Sequence, residues 1–336
     1  MIDLLQKIRT GHTLTQDESA RALLSMVNGT STPVQIGAYL MGLSQRGETA
    51  DELIGTARTL REKASVIAAP AGAVDCCGTG GDLSGTLNIS TAVAFVVAAC
   101  GVPVAKHGNR AASSKSGAAD ALEAAGFNLD LTQAQCEQSL RDYNFCFLMA
   151  PHHHHALKPL APLRKELGFR TLFNLMGPLA NPAGTKRQLV GVFDRKWLVP
   201  LAEVLRELGS EKAWIVHGSD GLDEITLTGE TFCATLENGL ISERTLTPAD
   251  FGLSTINAGD IRGGDAAFNA AALLKLLNGH QDAYRDIVLA NAAAVLVIAD
   301  RAATLKEGVA LAAKAIDDRR ALAVLNDSKT FSQTRT

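Results

Sequence analysis

Three stretches of this chain concentrate side chains and backbone of the kind that bind charge. Gly78-Thr79-Gly80-Gly81-Asp82 follows a short apolar run, and Thr86-Leu87-Asn88-Ile89-Ser90-Thr91 opens the helical stretch after it. Glycines let backbone N–H groups close on an anion. A helix N-terminus at Ser90 and Thr91 adds unpaired N–H groups and the positive end of a dipole. Phosphate or pyrophosphate is the natural ligand, although a glycine loop alone reads equally well as a tight strand-to-helix turn. A Walker loop would end in Gly-Lys-Ser/Thr, which this loop lacks, and the GxGxxG dinucleotide fingerprint would need a glycine where Leu83 stands.

The second stretch, Lys106-His107-Gly108-Asn109-Arg110 and on to Ser113-Ser114-Lys115-Ser116-Gly117, follows the next β-like run. It gathers cations, serines and glycines without an acid, at a strand's C-terminal end, where open α/β sheets bind ligands. With the glycine loop it reads as a polyphosphate cradle. The third is acidic: Asp220, then Asp223-Glu224, after Val216-His217-Gly218. Mg²⁺ binds through one or two carboxylates plus phosphate and water, so a polyphosphate site raises a metal role for a pair that alone reads as an exposed turn. The run His152 to His155 cannot converge on one ion in regular structure and has no Cys or acidic partner at ligand spacing. It reads as a polar loop with one His facing a substrate. GxSxG and HExxH are both absent.

The elements around these stretches alternate. Capping boxes at Thr15/Glu18, Thr32/Gln35 and Thr49/Glu52, with Pro33 at a first helical position, make the first 65 or so residues helical. Pro70-Ala71-Gly72 marks the edge of that part. Short β-like runs at 74–77, 102–105, 145–149, 189–193 and 213–216 then alternate with helical stretches at 90–100, 118–125, 134–141 and 198–208, which predicts an α/β layer with a mostly parallel central sheet. The chain is helical again from Asp265 to about Leu325, and its polar tail is expected to fray.

Composition agrees with this. At 336 residues, 46% hydrophobic, the chain is long enough for two domains with packed cores. A net charge of −3 excludes a strongly basic nucleic-acid coat and leaves room for a local basic pocket. The N-terminal residues show no leader pattern, and the longest apolar runs, 92–105 and 287–299, fall short of the ~18 residues of a membrane span. The second is broken by Asn291; both read as buried core. Six cysteines without CxxC spacing read as reduced core thiols, which places the chain in the cytoplasm.

Taken in order, Gly78-Thr79-Gly80-Gly81-Asp82, Asn88-Ile89-Ser90-Thr91, Lys106-His107-Gly108-Asn109-Arg110, Ser113-Ser114-Lys115-Ser116-Gly117, Arg170-Thr171-Leu172-Phe173-Asn174, Gly177-Pro178-Leu179-Ala180-Asn181-Pro182 and Asp220-Gly221-Leu222-Asp223-Glu224 resemble the anthranilate phosphoribosyltransferase family. The resemblance runs over nearly the whole chain. It implies a homodimer, each subunit with a helical dimerisation domain (1–70, joined by a mid-chain segment near 164–182) and an α/β donor-binding domain (71–330). The implied reaction, a step of tryptophan biosynthesis, joins anthranilate to 5-phosphoribosyl 1-pyrophosphate with Mg²⁺ and releases pyrophosphate, with no nucleic-acid or membrane partner.

Carried over by position, the donor site comprises Gly78, Thr79, Gly80, Gly81, Asp82, Thr86, Asn88, Ile89, Ser90, Thr91, Lys106, Gly108, Asn109, Ser113 and Ser114. Ser90, Asp223 and Glu224 would serve Mg²⁺. Gly78, His107, Asn109 and Arg164 would line the anthranilate path, with Arg164 pairing the carboxylate and Asn109 accepting from the aniline N–H. Lys106, Arg164 and His107 are the candidate catalytic residues. Catalysis is expected to be mainly electrostatic, without a strong general base. Leu83, Ala118 and His155 depart from residues common among relatives, and the loop at Leu83 is expected to be less permissive in φ. A pyrimidine nucleoside phosphorylase shares this general architecture, but the acidic pair and the Asn88–Thr91 segment favour a pyrophosphate–Mg²⁺ donor. A catalytically idle nucleic-acid-binding relative would show an eroded glycine loop and a basic surface.

Overall fold

A computed structural model of the chain describes residues 1–111 and 115–334. The N-terminal part folds as α1 (Ile2–Arg9), α2 (Gln16–Val27), α3 (Pro33–Arg46) and α4 (Ala50–Lys63). Thr15, Thr32 and Thr49 each accept a bond from the third helical N–H, and Glu18, Gln35 and Glu52 return one to the cap. Each box thus settles two N–H groups that would otherwise lack partners.

The remainder alternates: β1 (Val74–Gly78), α5 (Ile89–Ala99), β2 (Val104–Gly108), α6 (Ala118–Ala124), α7 (Gln133–Tyr143), β3 (Phe145–Met149), α8 (Ala150–His153), α9 (Ala161–Leu167), α10 (Phe173–Leu179), β4 (Arg187–Gly191), α11 (Leu198–Glu207), β5 (Lys212–Gly218), β6 (Thr231–Glu237) and β7 (Leu240–Leu246). It closes with α12 (Ala266–Leu277), α13 (Ala283–Ile298), α14 (Leu305–Asp317) and α15 (Arg320–Ser332). Among the described residues one sheet forms, in the order β3-β2-β1-β4-β5-β6-β7, with β1 to β5 parallel and β6 and β7 antiparallel. The chain winds outward from β1 to β3 and then returns to place β4 on the other side of β1. That switch point opens a crevice at the C-terminal end of β1, the usual ligand position in such sheets.

Two cores cover the sheet. On one side α5 and α13 pack with α14 and α15. On the other, α11 and α10 join the helical part, so Leu40, Leu53 and Leu60 share a core with Val190 and Ile215 of the sheet. None of the described helices is long and apolar enough to cross a membrane, and all six cysteines are buried free thiols.

Two sequence expectations change. The run expected at 102–105 is a strand from Val104 to Gly108, so Lys106 and His107 stand inside a buried strand rather than on the loop after it. The β6–β7 hairpin had no counterpart in the sequence reading. Its turn is Asn238-Gly239, both at positive φ, which is the favoured two-residue hairpin chemistry.

Candidate active site

The ends of β1, β2 and β5 bring the three charged stretches together. The glycine loop leaves β1, and Asp223-Glu224 follows β5 in irregular backbone. Asp223 Oδ2 accepts a hydrogen bond from the Gly80 N–H at 2.7 Å. This approach demands glycine on both flanking strands. A Cβ on Gly78 would lie 2.2 Å from Asp223 Oδ2, and one on Gly191 would lie 1.5 Å from the Asp223 carbonyl oxygen. Glu224 Oε1 accepts from the Ser90 N–H at 3.2 Å, at the first turn of α5. Lys106 reaches the same turn: its Nζ donates to the Cys76 carbonyl at 2.7 Å and to Ser90 Oγ at 3.1 Å. Both anion-binding backbone features read from the sequence are therefore engaged, each with one carboxylate of the pair.

The electrostatics are crowded. Burial pushes the Asp223 carboxyl well above its ordinary range, and the charges of Asp82 and Glu224 push it further. Burial raises Glu224 to about 7, against the pull of Lys106. Among the described residues no three His, Cys, Asp or Glu side chains form a metal-binding cluster. Two buried, mutually repelling carboxylates nevertheless fit Mg²⁺, which takes one or two carboxylates when phosphate and water complete its shell.

A second group lies across the crevice. His107 Nδ1 sits 2.9 Å from the Gly177 carbonyl, which requires a proton on that nitrogen and leaves Nε2 as an acceptor. Burial, aided by His154, lowers the His107 pKa to about 3, so the ring is neutral near pH 7. The His154 ring stands edge-on at 5.2 Å, and neither ring's Nε2 has a partner among the described residues. Arg164, on α9, lies over the Phe173 ring at 5.0 Å and makes no ion pair among the described residues. Beneath this group the buried Asp75 accepts from the His107 N–H at 3.3 Å and from Asn181 Nδ2 at 2.7 Å.

Comparison with known proteins shows the family. Residues 2–64 match the helical bundle domain of a glycosyl transferase family, and residues 70–322 match its a/b domain. An anthranilate phosphoribosyltransferase of Rhodopseudomonas palustris is 55% identical over 94% of this chain and 95% of its own. This chain belongs to the anthranilate phosphoribosyltransferase family. The family member from Thermus thermophilus superimposes with a TM-score of 0.93 at 38% identity, covering 98% of this chain and 99% of that one. The Saccharomyces cerevisiae member, solved in complex with PRPP and Mg, gives 0.90 at 25% identity, covering 98% and 97%.

The other residues expected at the site make the following contacts. Thr79 Oγ1 accepts from the Phe193 N–H at 3.1 Å and so ties the loop to the end of β4. Asp82 Oδ1 accepts from the Ser84 N–H at 3.3 Å, and Thr86 bridges Arg262. Asn88 is held by Asn269 through Oδ1 and by Tyr284 through its carbonyl, at 2.9 and 3.1 Å. Ile89 is core, and Thr91 is buried, its Oγ1 without a partner among the described residues. Gly108 cannot carry a side chain, because a Cβ would come within 2.7 Å of the Phe147 ring. Ser113 and Ser114 lie outside the described residues.

Several of these side chains have protein partners. Arg110 pairs with Glu123 and Asp120 of α6. Asp220 is used within its own turn, accepting from Thr226 Oγ1 at 2.8 Å and Thr228 Oγ1 at 2.6 Å. Asn109 Oδ1, expected to accept from an aniline, accepts the Arg110 N–H at 2.8 Å. The histidine run splits: His152 faces Asp130 at 3.3 Å, His153 faces the Ser65 carbonyl at 3.2 Å, and His154 faces His107. Arg170, part of a motif in the sequence but given no role there, donates to the Gly81 carbonyl at 2.8 Å while its own carbonyl accepts from Ser44 Oγ of α3 at 3.1 Å. Its place in the Arg170–Asn174 segment, between the helical part and the glycine loop, was the available signal.

Proposed function

We propose that this chain transfers the 5-phosphoribosyl group of 5-phosphoribosyl 1-pyrophosphate to the amine of anthranilate. The C1–O bond to pyrophosphate breaks, a C1–N bond forms, and the amine loses a proton. The observation that carries this reading is the 2.7 Å bond from Gly80 to Asp223, which joins a phosphate-binding loop to a carboxylate pair 143 residues along the chain. The glycosyl transferase family match and the R. palustris relative support the same reaction.

Lys106 places a cation at the first turn of α5, where charge grows as pyrophosphate leaves. Mg²⁺ held by Asp223 and Glu224, with Ser90 at its edge, would add further charge stabilisation to the departing group. Arg164 can receive the anthranilate carboxylate in bidentate fashion. His107, neutral with an accepting Nε2, can orient the amine but has too low a pKa to draw a proton strongly at neutral pH. Positioning and electrostatics, rather than acid–base work, then supply the rate.

In this reading the subunit is one half of a homodimer in the cytoplasm. The helical part carries exposed Val34 and Met41, seven residues apart on the outer side of α3, and exposed Ile2 on α1, an apolar surface suited to a second copy. Six free buried thiols suit a reducing compartment. Loss of anthranilate fluorescence on mixing the protein with both substrates and Mg²⁺ tests the reaction. Absence of turnover, with phosphorolysis of thymidine in its place, would overturn it.

A further inference from the structure

Asp223 and Glu224 sit in backbone that belongs to no strand, yet both are buried and both are forced above their ordinary pKa range. Two carboxylates that repel each other will not hold a fixed spacing by themselves, and a buried irregular segment must find partners for its own N–H and C=O groups. The next residue, Ile225, is fully buried and finds both partners on one side chain. Its N–H donates to Asn291 Oδ1 at 2.9 Å, and its carbonyl accepts from Asn291 Nδ2 at 2.8 Å. The primary amide of Asn291 thus acts as the neighbouring strand that the segment lacks.

Asn291 is itself fixed. It lies in α13, a helix buried nearly all round, and its Nδ2 also donates to the Ile287 carbonyl one turn back, at 2.9 Å. A fully buried asparagine in such a helix weakens it unless its polar atoms are satisfied. Here all the bonds beyond its own helix go to one residue beside the carboxylate pair. Tyr284 of the same helix donates to the Asn88 carbonyl at 3.1 Å, so α13 grips the backbone on both sides of the crevice.

We propose that Asn291 is a positioning residue for the carboxylate pair: by holding Ile225 it sets where Asp223 and Glu224 meet Mg²⁺ and the pyrophosphate of the donor. This rests on the function proposed above. It predicts a selective effect, on metal-dependent donor binding and not on the acceptor side.

The test uses Asn291→Ser and Asn291→Leu in the full chain. Serine in a helix can bond the carbonyl four residues back, here Ile287, but cannot reach Ile225. It therefore keeps the helix polar contact and removes only the clamp. Calorimetric titration with 5-phosphoribosyl 1-pyrophosphate at graded Mg²⁺ should show the half-saturating Mg²⁺ concentration rising about tenfold in Asn291→Ser, the scale seen when groups that orient metal ligands are removed. The anthranilate KM should stay within about twofold, because the acceptor contacts lie on other elements. Asn291→Leu should show the same shift, or a lower thermal midpoint if two unpaired backbone groups at Ile225 are not tolerated. A folded Asn291→Ser with unaltered Mg²⁺ dependence overturns the proposal, as does an equal loss of donor and acceptor binding. Failure of the unmodified protein to bind the donor at all would instead overturn the proposed function.

Discussion

On the side proposed to bind the donor, Lys106, Ser90 and Glu224 are linked at the first turn of α5, and Asp223 is held by the Gly80 N–H at the end of β1. On the side proposed to take the acceptor, Arg164 rides on a seven-residue helix and touches Phe173 through a ring contact, with no ion pair among the described residues. The proposed donor side is already joined by hydrogen bonds. In the proposed reading the Arg164 charge is left for the carboxylate of the acceptor. A substitution on the donor side should therefore disturb the transition state, and one on the acceptor side should disturb binding of a single substrate.

The sharpest way to break this contrast is Lys106→Met. It removes the buried cation that stands between Cys76 and Ser90 and leaves Glu224 uncompensated. Loss of one preorganised charge of this kind costs roughly 10²–10³-fold in kcat/KM, and steady-state kinetics in both substrates should show kcat itself falling. A fall confined to the donor KM would mean that Lys106 binds ground state and transition state alike.

Arg164→Ala is the acceptor-side counterpart. Removing a bidentate partner of a carboxylate should raise the anthranilate KM by roughly 10–100-fold. The donor KM should change by less than about twofold, since the contact Arg164 makes is to Phe173 rather than to Lys106, Ser90, Asp223 or Glu224. Equal changes in both constants would erase the distinction between the two sides.

Acidity separates the sides more gently. Glu224 has an ordinary value of 4.5 and is raised to about 7. Between those values the folded chain holds a proton that the unfolded chain has released, so this group's effect is to lower stability as pH rises through that window. Binding of a divalent cation and donor requires the ionised carboxylate. Donor affinity should then weaken by up to about tenfold for each pH unit below about 6, and binding there should release a proton. Calorimetry in two buffers of different ionisation heat reads that proton directly. His107, with its pKa near 3, should give anthranilate binding no matching dependence in this range.

The same contrast governs what the sequence revealed. Donor-side groups sit in contiguous stretches at strand ends, so glycines, cations and acids announced themselves by spacing, and the five parallel strands were legible as short apolar runs. The partners of these side chains lie outside the motifs themselves. Glu123 and Asp120 on the helix after Arg110 pair with it, and two threonines downstream donate to Asp220. Asn291 stood out as a polar residue in an apolar run, but its partner Ile225 is 66 positions away. Lys106 and His107 looked like loop residues because a buried strand rarely carries them; a site at the strand end supplies the missing reason. The β6–β7 turn, Asn238-Gly239, carries hairpin chemistry, but β7 mixes polar and apolar residues on an exposed sheet edge and so lacks the apolar run that marks the parallel strands.

Leu83 offers the smallest effect and the finest test of how preset the donor loop is. A leucine at position 83 is expected to restrict the backbone, yet Leu83 adopts φ 60° and Gly85 φ 62°, so the chain follows a glycine-like path regardless. The side chain escapes collision by pointing to solvent, where it is 81% exposed. The left-handed conformation costs a leucine about 1 kcal/mol. Leu83→Gly would relieve that cost but would add about 0.4–1 kcal/mol of unfolded-chain entropy, so chemical denaturation should detect a net change under about 0.5 kcal/mol. The donor KM should move by less than about twofold, because the bonds that orient the loop belong to Gly80 and Gly81. A larger rise in that KM would mean that the stiff leucine, and not the Asp223 and Arg170 contacts, keeps the loop in place.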